Sequence, residues 1–344
     1  MGANMNTTKT LFLLLAFLWL GAPQPASAIF PFFKKQPVTP KAPAFVAEPA
    51  ADFETHLRIQ IFLDRKGFGP GKLDGAIGTF TRRAVDFYNA AHGHAAGNWY
   101  PVLSQSTAEL QTLYQAYQIK QGDLKYVNSK LPYKPEEQVE YKYMSYRSLA
   151  EFVAERFHTT EKTIARLNPR LNVKRLKPGD MIVAPNVIPF EIERVPSDRQ
   201  YKSEPTLSAR SVVVDTKTRM ASFHVGAPDS AVFAAFPITP GQKQFIPYGT
   251  WKVKIMITTP EFRYDKKMLQ EGERSDEAWM IPPGPNSPVG IFWAGLTKSG
   301  IGLHGTSSPE TIGRSESAGC IRLANWDAIR LQNLVRPGAT VVVR

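Results

Sequence analysis

Cys320 and His304 are the two residues of this sequence whose chemistry is easiest to name. Cys320 is the single cysteine among 344 residues, and His304 lies sixteen positions upstream, in the stretch LHGTSSPETIGRSESAGCIRL. A thiol attacks a carbonyl as the thiolate, and a neighbouring imidazole can remove its proton. We therefore take Cys320 as a candidate nucleophile and His304 as its base. His224, the other histidine of the C-terminal region, is assigned to a strand.

Gly319 stands directly before Cys320. A glycine at this position lets the backbone turn sharply, and the amides around the thiol can then point at a substrate oxygen as an oxyanion hole. Spacing alone leaves other interpretations open. A single cysteine can also be a buried small apolar residue or can link two molecules.

The N-terminus predicts export. Lys9 precedes an apolar run from Leu11 to Ala22, and Ala26-Ser27-Ala28 follows it. This order is typical of a secretory signal peptide, here 1–28, and the run is shorter than the ~20 residues of a membrane span. An uncleaved anchor is the alternative. We expect a periplasmic or cell-wall-associated protein with no stable transmembrane segment after cleavage, in a compartment where cysteines usually pair.

Composition points to a globular, basic protein. Hydrophobic residues make up 43% and charged residues 21%, and the formal net charge is +12. This balance is not that of a disordered chain, and its positive charge favours anionic polymers, among them an acidic envelope polymer. No nucleic-acid-binding motif accompanies the charge, so we expect no nucleic-acid partner.

Residues 29–51 are rich in proline and predict an extended linker. In residues 52–118, Leu57, Ile61 and Phe62 recur at helical spacing, and a second amphipathic run begins at Thr79. This segment resembles the small three-helix peptidoglycan-binding module. The residues that carry the resemblance are Gly67, Phe68, Pro70, Gly71, Asp74, Gly75, Gly78, Thr81, Ala84 and Val85. A generic helical hairpin is the alternative. His92 and His94 follow it and lack a third metal ligand at suitable spacing, so they are interpreted as surface residues.

Residues 119–138 are polar and are interpreted as a linker. Residues 139–188 have the pattern of a short strand from Tyr141, two helices and a closing strand, and they resemble a LysM module, a family that binds glycans containing N-acetylglucosamine. The matching residues are Tyr141, Leu149, Phe157, Asn168, Pro169, Leu176, Gly179, Asp180 and Pro185. The turn after the first strand is SYRS where the family has GDT, which leaves a module used only for packing as an alternative. His158 is interpreted as structural.

Residues 189–209 are polar and predict another linker. From residue 210 to 344 the pattern is mainly β, with SVVVDT and MASFHV as a hairpin and ATVVVR as a closing strand. WKVKIMIT alternates, which predicts a half-buried strand. One face of this strand would carry Trp251, Val253, Ile255 and Ile257. A single helix is expected at NWDAIRLQNLV.

The C-terminal region also resembles the L,D-transpeptidase catalytic domain of the YkuD type, over essentially all of residues 210–344. The matching residues of its main motif are His304, Gly305, Thr306, Ile312, Gly313, Ser317, Gly319, Cys320, Ile321 and Arg322. Two earlier motifs match at Pro247, Gly249, Asn286, Pro288 and Gly290. Ala318 departs from the polar residue that the family often has. The expected fold is multidomain, with a small helical module, a small α+β LysM-like module and a mainly β catalytic domain.

The resemblance implies roles for the site residues. Cys320 would be the nucleophile and His304 the base and then the acid, with the carbonyl of Gly305 orienting the imidazole. Thr306, Ser317 and Gly319 would support the site. Arg322 shares a face with Cys320 if the chain is extended there, and its guanidinium can hold a peptide carboxylate or form a structural ion pair. No metal or cofactor is implied.

The family reaction is acyl transfer from a peptidoglycan tetrapeptide stem with release of D-alanine, which gives a cross-link to a neighbouring stem. Peptidoglycan is therefore the expected partner, through its glycan strands and its stems. Four alternatives stay open: an L,D-carboxypeptidase with water as acceptor, attachment of an envelope protein, a Cys-His endopeptidase of the NlpC/P60 type, and a non-catalytic wall-binding protein. The endopeptidase fits less well because its cysteine precedes its histidine.

Overall fold

The computed structural model describes residues 45–242, 244–314 and 319–344. The expected signal peptide, most of the proline-rich linker, and Ser317 and Ala318 lie outside the described residues. All described residues belong to one compact unit, Pro43–Arg344. Across these ranges no helix has the length and apolar character needed to cross a membrane.

The N-terminal region is helical, as the sequence predicted. Its helices are α1 Phe53–Arg65, α2 Thr79–Ala91 and α3 Tyr100–Glu109. Asp52 caps α1, because its carboxylate accepts a hydrogen bond from the amide of Thr55 at 2.8 Å. Leu57, Ile61 and Phe62 are buried, which confirms the apolar face inferred from their spacing.

The next region combines a two-stranded sheet with helices. Its elements are β1 Tyr114–Gln118, α4 Pro135–Gln138, α5 Leu149–Arg156, α6 Glu161–Leu167 and β2 Met181–Pro185. β1 and β2 pair antiparallel. The first strand expected at Tyr141 is therefore wrong, because the strand that pairs with β2 comes from earlier in the chain. Residues 119–148, which include the segment interpreted as a linker, 119–138, connect β1 to α5 and are called the insertion below.

The C-terminal region is mainly β. Its helices are α7 Pro205–Ser208, α8 Lys266–Glu271, α9 Asn325–Ala328 and α10 Leu331–Leu334. Its strands are β3 Ser211–Asp215, β4 Met220–His224, β5 Val232–Pro237, β6 Gly249–Thr258, β7 Phe262–Tyr264, β8 Trp279–Ile281, β9 Phe292–Leu296, β10 Gly302–His304, β11 Ile321–Arg322 and β12 Thr340–Val343. The expected single helix at NWDAIRLQNLV is wrong, since the chain forms two short helices there.

Eight of these strands form one sheet in the order β11-β10-β9-β6-β12-β3-β4-β5. The pairs β10–β11 and β12–β3 are parallel, and the other neighbours are antiparallel. The hairpin β3–β4 is confirmed. β7 and β8 form a separate antiparallel hairpin beside the main sheet. Cys320 and His304 thus lie at one edge of the sheet, and the predicted β3–β4 hairpin lies near the other edge.

β6 departs from the alternation read in the sequence. A register shift between Val253 and Ile255 marks a β-bulge opposite β9. A bulge inserts one residue and moves the following side chains to the other face. Val253 is buried as predicted, but the next fully buried side chain is Met256, and Ile255 is 38% exposed. The expected shared face therefore ends at the bulge.

One buried polar cluster joins all three regions. The carboxylate of Asp64, on α1, lies 3.1 Å from Nδ1 of His158 and accepts a hydrogen bond from Nη2 of Arg330 at 2.8 Å. The His158 ring stacks on Trp326 with 5.4 Å between ring centroids. His158 therefore has a structural position, between the N-terminal helices and the C-terminal region.

Candidate active site

The two strands that end at the sheet edge bring Cys320 and His304 to one face. β10 and β11 are parallel neighbours, with His304 opposite Arg322. Cys320 precedes β11 by one residue, which places it beside Gly302, and the Gly302 amide hydrogen-bonds the thiol. A rise of about 3.3 Å per residue and a strand spacing of about 4.8 Å put the Cα atoms of Cys320 and His304 roughly 8 Å apart.

His304 is held in one tautomer. Its side chain is buried, and its Nδ1 lies 2.6 Å from the carbonyl oxygen of Gly305. A carbonyl only accepts, so Nδ1 carries the proton and Nε2 presents a lone pair. Burial and, to a smaller extent, the nearby charge of Arg322 lower the pKa of His304 to about 3, against the raising effect of the Gly305 bond. The ring also stacks on Trp293, with 5.4 Å between centroids.

The thiol of Cys320 is half-buried, one residue before the strand next to that of His304. Its sulfur contacts the carbonyl oxygen of Gly300 at 3.5 Å. Desolvation raises the pKa of the thiol to about 11, against the lowering effects of the Gly302 amide and of Arg322. At neutral pH the two groups therefore rest as thiol and neutral imidazole, a pair in which His304 can accept the proton that Cys320 loses.

The residue before the thiol has to be a glycine. Gly319 has a φ of 109° and is buried. A Cβ placed there would lie 3.0 Å from the carbonyl oxygen of Phe245 and 3.2 Å from Cδ1 of Ile301. A side chain at this position would thus strain the backbone and push against its neighbours. The structure thereby explains why a glycine, Gly319, precedes Cys320.

Asn325, which the sequence analysis did not select, holds the loop that follows His304. Its Oδ1 accepts a hydrogen bond from the Thr306 amide at 3.1 Å, and its Nδ2 donates to the Thr306 carbonyl at 3.0 Å. Nδ2 also lies 3.2 Å from the carbonyl oxygen of Pro285. Both backbone groups of Thr306 are therefore fixed next to Gly305, whose carbonyl orients His304. The sequence around Asn325 carries no local signal of this role, because its partners are distant in the chain.

The same asparagine connects the site to α5. Nδ2 of Asn325 lies 3.0 Å from Oε1 of Glu155, a carboxyl that is 5% exposed. The hydroxyl of Tyr146 donates to the same oxygen at 3.0 Å. Burial raises the pKa of Glu155 to about 8. The loop after His304 is thus supported from outside the C-terminal region.

A cleft of about 880 Å³ opens at Cys320. Its volume is within the range of small-molecule sites. Among its lining residues are Ile255, Phe262, Pro283, Trp293, Gly300 and Cys320. The wall therefore combines the main sheet with the β7–β8 hairpin, and the candidate nucleophile faces a space in which a peptide can lie.

The other expected site residues fall into two groups. Gly305, Thr306, Gly319 and Arg322 lie with Cys320 and His304 at the sheet edge, whereas Ser317 is outside the described residues. His224 lies on β4, near the opposite edge of the sheet, where its ring contacts Ser222 and Ser230. Within the described ranges, no three His, Cys, Asp or Glu side chains cluster as a metal site.

Two family models match the chain. Residues 209–343 match the L,D-transpeptidase catalytic domain YkuD, and residues 151–185 match the LysM domain. The chain carries a YkuD-type L,D-transpeptidase catalytic domain. The resemblances to this domain and to LysM are thereby confirmed, and with the helical N-terminal region they confirm the expected fold class. The peptidoglycan-binding module stays a prediction.

Proteins that are similar to this chain are named L,D-transpeptidases. YkuD of Bacillus licheniformis, provisionally named an L,D-transpeptidase, is 26% identical over 193 residues, which cover 56% of this chain and 92% of that protein. YkuD of Bacillus subtilis, with the same provisional name, is 42% identical over 59 residues, 17% of this chain and 36% of that protein. The Enterococcus faecium L,D-transpeptidase structure is 19% identical, with a TM-score of 0.31. The match covers 40% of this chain and 50% of that chain. This chain thus spans half the length of that enzyme.

The L,D-transpeptidase domain and the LysM domain touch directly at the site. Glu155 and Asn325 belong to the two matched ranges and are hydrogen-bonded to each other. The LysM domain is therefore part of the surroundings of the loop that follows His304, in addition to any role in binding the cell wall.

Proposed function

We propose that this protein is a peptidoglycan L,D-transpeptidase that forms cross-links by cysteine acyl transfer from a tetrapeptide stem. The observation that supports this proposal is the position of Cys320 and His304 at neighbouring strands of the matched catalytic domain, with Cys320 lining a cleft of about 880 Å³. The LysM match supports peptidoglycan as partner and an extracytoplasmic, wall-associated location.

In the acylation step, Nε2 of His304 takes the proton of the Cys320 thiol as the sulfur attacks the carbonyl of the third stem residue. The Nδ1 bond to Gly305 stabilises the imidazolium that forms. In this proposal the amides of Gly319 and Cys320 stabilise the oxyanion, with Ser317 as a further supporting group. The C–N bond then breaks, and His304 returns its proton to the departing amine of D-alanine.

In the transfer step, an amine of a neighbouring stem attacks the thioester. His304 accepts a proton from that amine, the C–S bond breaks, and the proton returns to the sulfur. The products are a new amide cross-link and the original thiol. Arg322, two residues after Cys320 and opposite His304, would bind a substrate carboxylate through its guanidinium.

The test is incubation of the purified protein with a disaccharide-tetrapeptide and mass spectrometry of the products. Cross-linked dimers with loss of alanine are expected. Tripeptide alone would instead identify an L,D-carboxypeptidase, and unchanged substrate would refute both activities. Addition of a protein lysine would point to an envelope protein as the acceptor.

Variants locate the activity. Cys320→Ala and His304→Ala should each lower product formation by at least about 100-fold, since they remove the nucleophile and its base. His224→Ala is the matched control, because His224 lies near the opposite edge of the same sheet. Cys320→Ala should keep the binding of insoluble wall material that the wild-type protein shows, and loss of that binding would contradict a separate wall-binding role of the N-terminal modules.

A further inference from the structure

The insertion, residues 119–148 between β1 and α5, packs against the catalytic domain. The amide of Met144 donates to the carbonyl of Pro283 at 2.8 Å, and the amide of Asn286 donates to the carbonyl of Met144 at 2.9 Å. Nδ2 of Asn286 adds a bond to the carbonyl of Ser145 at 2.8 Å. Successive backbone bonds of this kind hold the two segments in one register.

The approach between these segments is unusually close. Gly284 has a φ of 142°, and a Cβ on it would lie 2.5 Å from the carbonyl oxygen of Met144. No side chain fits there, so glycine permits the contact. Met144 itself is fully buried. The backbone at residue 144 is therefore fixed against the segment that contributes Pro283 to the cleft.

An apolar cluster joins the insertion to the β7–β8 hairpin. Leu131 and Met144 of the insertion are buried together with Ile281 of β8, and Phe262 and Tyr264 of β7 pack on them. This cluster is separate from the main hydrophobic core. Since Phe262 also lines the cleft, the insertion supports a hairpin that forms part of the cleft wall.

The two residues before Met144 reach the cleft itself. Lys142 and Tyr143 line the same space as Cys320. Lys142 is an exposed residue of this lining, and the backbone is fixed two residues later, at Met144. The other charged residues of the lining are Asp198, Glu261, Arg274 and the ion pair of Arg263 with Asp265, at 2.6 Å. The lysine thus adds an accessible positive charge to the space in front of the thiol.

We propose that the insertion is a wall of the substrate cleft and that Lys142 is a specificity-determining residue that binds a carboxylate of the peptide donor. The proposal rests on the proposed function for the identity of that donor. The insertion then contributes to substrate choice at the thiol through Lys142, which lies outside the residues that match LysM, 151–185. An ammonium at an exposed wall attracts an anionic group without touching the reacting atoms, so it acts mainly on binding.

The first experiment tests the charge without the natural substrate. Cys320 of the full chain is alkylated at pH 8 with anionic iodoacetate and with neutral iodoacetamide. Lys142→Ala should lower the iodoacetate rate by about three- to five-fold, the effect of one exposed charge, and leave the iodoacetamide rate unchanged. Lys142→Glu should lower it further, and Lys142→Arg should restore it. Lys174→Ala, at an exposed lysine of the LysM domain outside the cleft lining, is the matched control.

The second experiment uses the tetrapeptide donor. Lys142→Ala should raise KM about three- to five-fold with kcat unchanged, and Lys174→Ala should change neither. Iodoacetate rates that are equal in the wild type and Lys142→Ala would overturn the proposal, whatever the donor kinetics. If the wild type releases no D-alanine, the proposed function fails, and the alkylation rates still decide whether Lys142 acts on anions at Cys320.

Discussion

Replacing Glu155 by glutamine should make the stability of this protein less dependent on pH. Glu155 is buried where α5 meets the catalytic domain, and its Oε1 accepts hydrogen bonds from Tyr146 and Asn325, both at 3.0 Å. Burial raises its pKa from 4.5 to about 8. Below pH 8 the native side chain is therefore mostly protonated. Glutamine has the shape of that neutral form and keeps an oxygen for both donors.

The expected magnitude follows from proton linkage. Between pH 4.5 and pH 8 the native state keeps a proton that the unfolded state has released, so stability falls as the pH rises towards the native pKa. From pH 6 to pH 8 the loss is about 2.3 kcal/mol, because one pH unit is worth about 1.36 kcal/mol and the native carboxyl is half ionised at pH 8. The Glu155→Gln variant lacks this titration. Its stability relative to the wild type should therefore rise by about 2 kcal/mol over that interval.

The assay is urea unfolding of the wild type and the variant at pH 6 and pH 8. Tryptophan fluorescence and circular dichroism should give coincident transitions, which permits a two-state fit. Comparing the variant with the wild type at each pH cancels the other titrating groups. Glu136→Gln, at an exposed glutamate of α4, is the control and should show the same difference at both values. A Glu155→Gln difference that does not change with pH would refute a buried, neutral Glu155.

Two further predictions concern other buried groups. Asp64→Ala should destabilise the protein by about 3–5 kcal/mol in urea unfolding, because it leaves the guanidinium of Arg330 and the ring of His158 without their shared carboxylate. A decrease in the free energy of unfolding below about 1 kcal/mol would contradict a stabilising role for this cluster. The rate of Cys320 alkylation by iodoacetamide should keep rising above pH 9, because desolvation raises the pKa of the thiol to about 11. A plateau near neutral pH would show that the thiolate is already stable there.

The candidate residues around the thiol could be named from the sequence because their pattern is local. His304 and Cys320 lie in one short stretch, and Gly319 marks the turn between them and β11. The groups that position them could not be named in this way. Asn325 contacts Thr306 nineteen residues away, and it contacts Glu155 across a separation of 170 residues. Such a pairing leaves no periodic or motif signal in the chain.

The errors in the fold have the same origin. A strand at Tyr141 was a reasonable local prediction, but the partner of a strand is chosen in three dimensions, and β2 pairs with Tyr114–Gln118 instead. The alternation in β6 held as far as Val253 and then failed at a bulge, which inserts one residue without changing the hydrophobic pattern. Local periodicity predicts that an element forms, whereas pairing and bulges depend on the neighbouring strand.

The packing between the domains changes what the LysM domain can contribute. A flexible linker would raise the local concentration of substrate by an amount set by its length. Residues 189–209, which were interpreted as a linker, contact α5. Phe190 and Ile192 are buried, and Arg156 of α5 binds Glu193 at 2.9 Å. A glycan strand held by the LysM domain would therefore meet the thiol in a geometry fixed by packing. The Glu155–Asn325 contact joins the LysM domain to the loop whose Gly305 carbonyl holds the His304 ring. Under the proposed function, substrate placement and the orientation of His304 would therefore depend on the same interface.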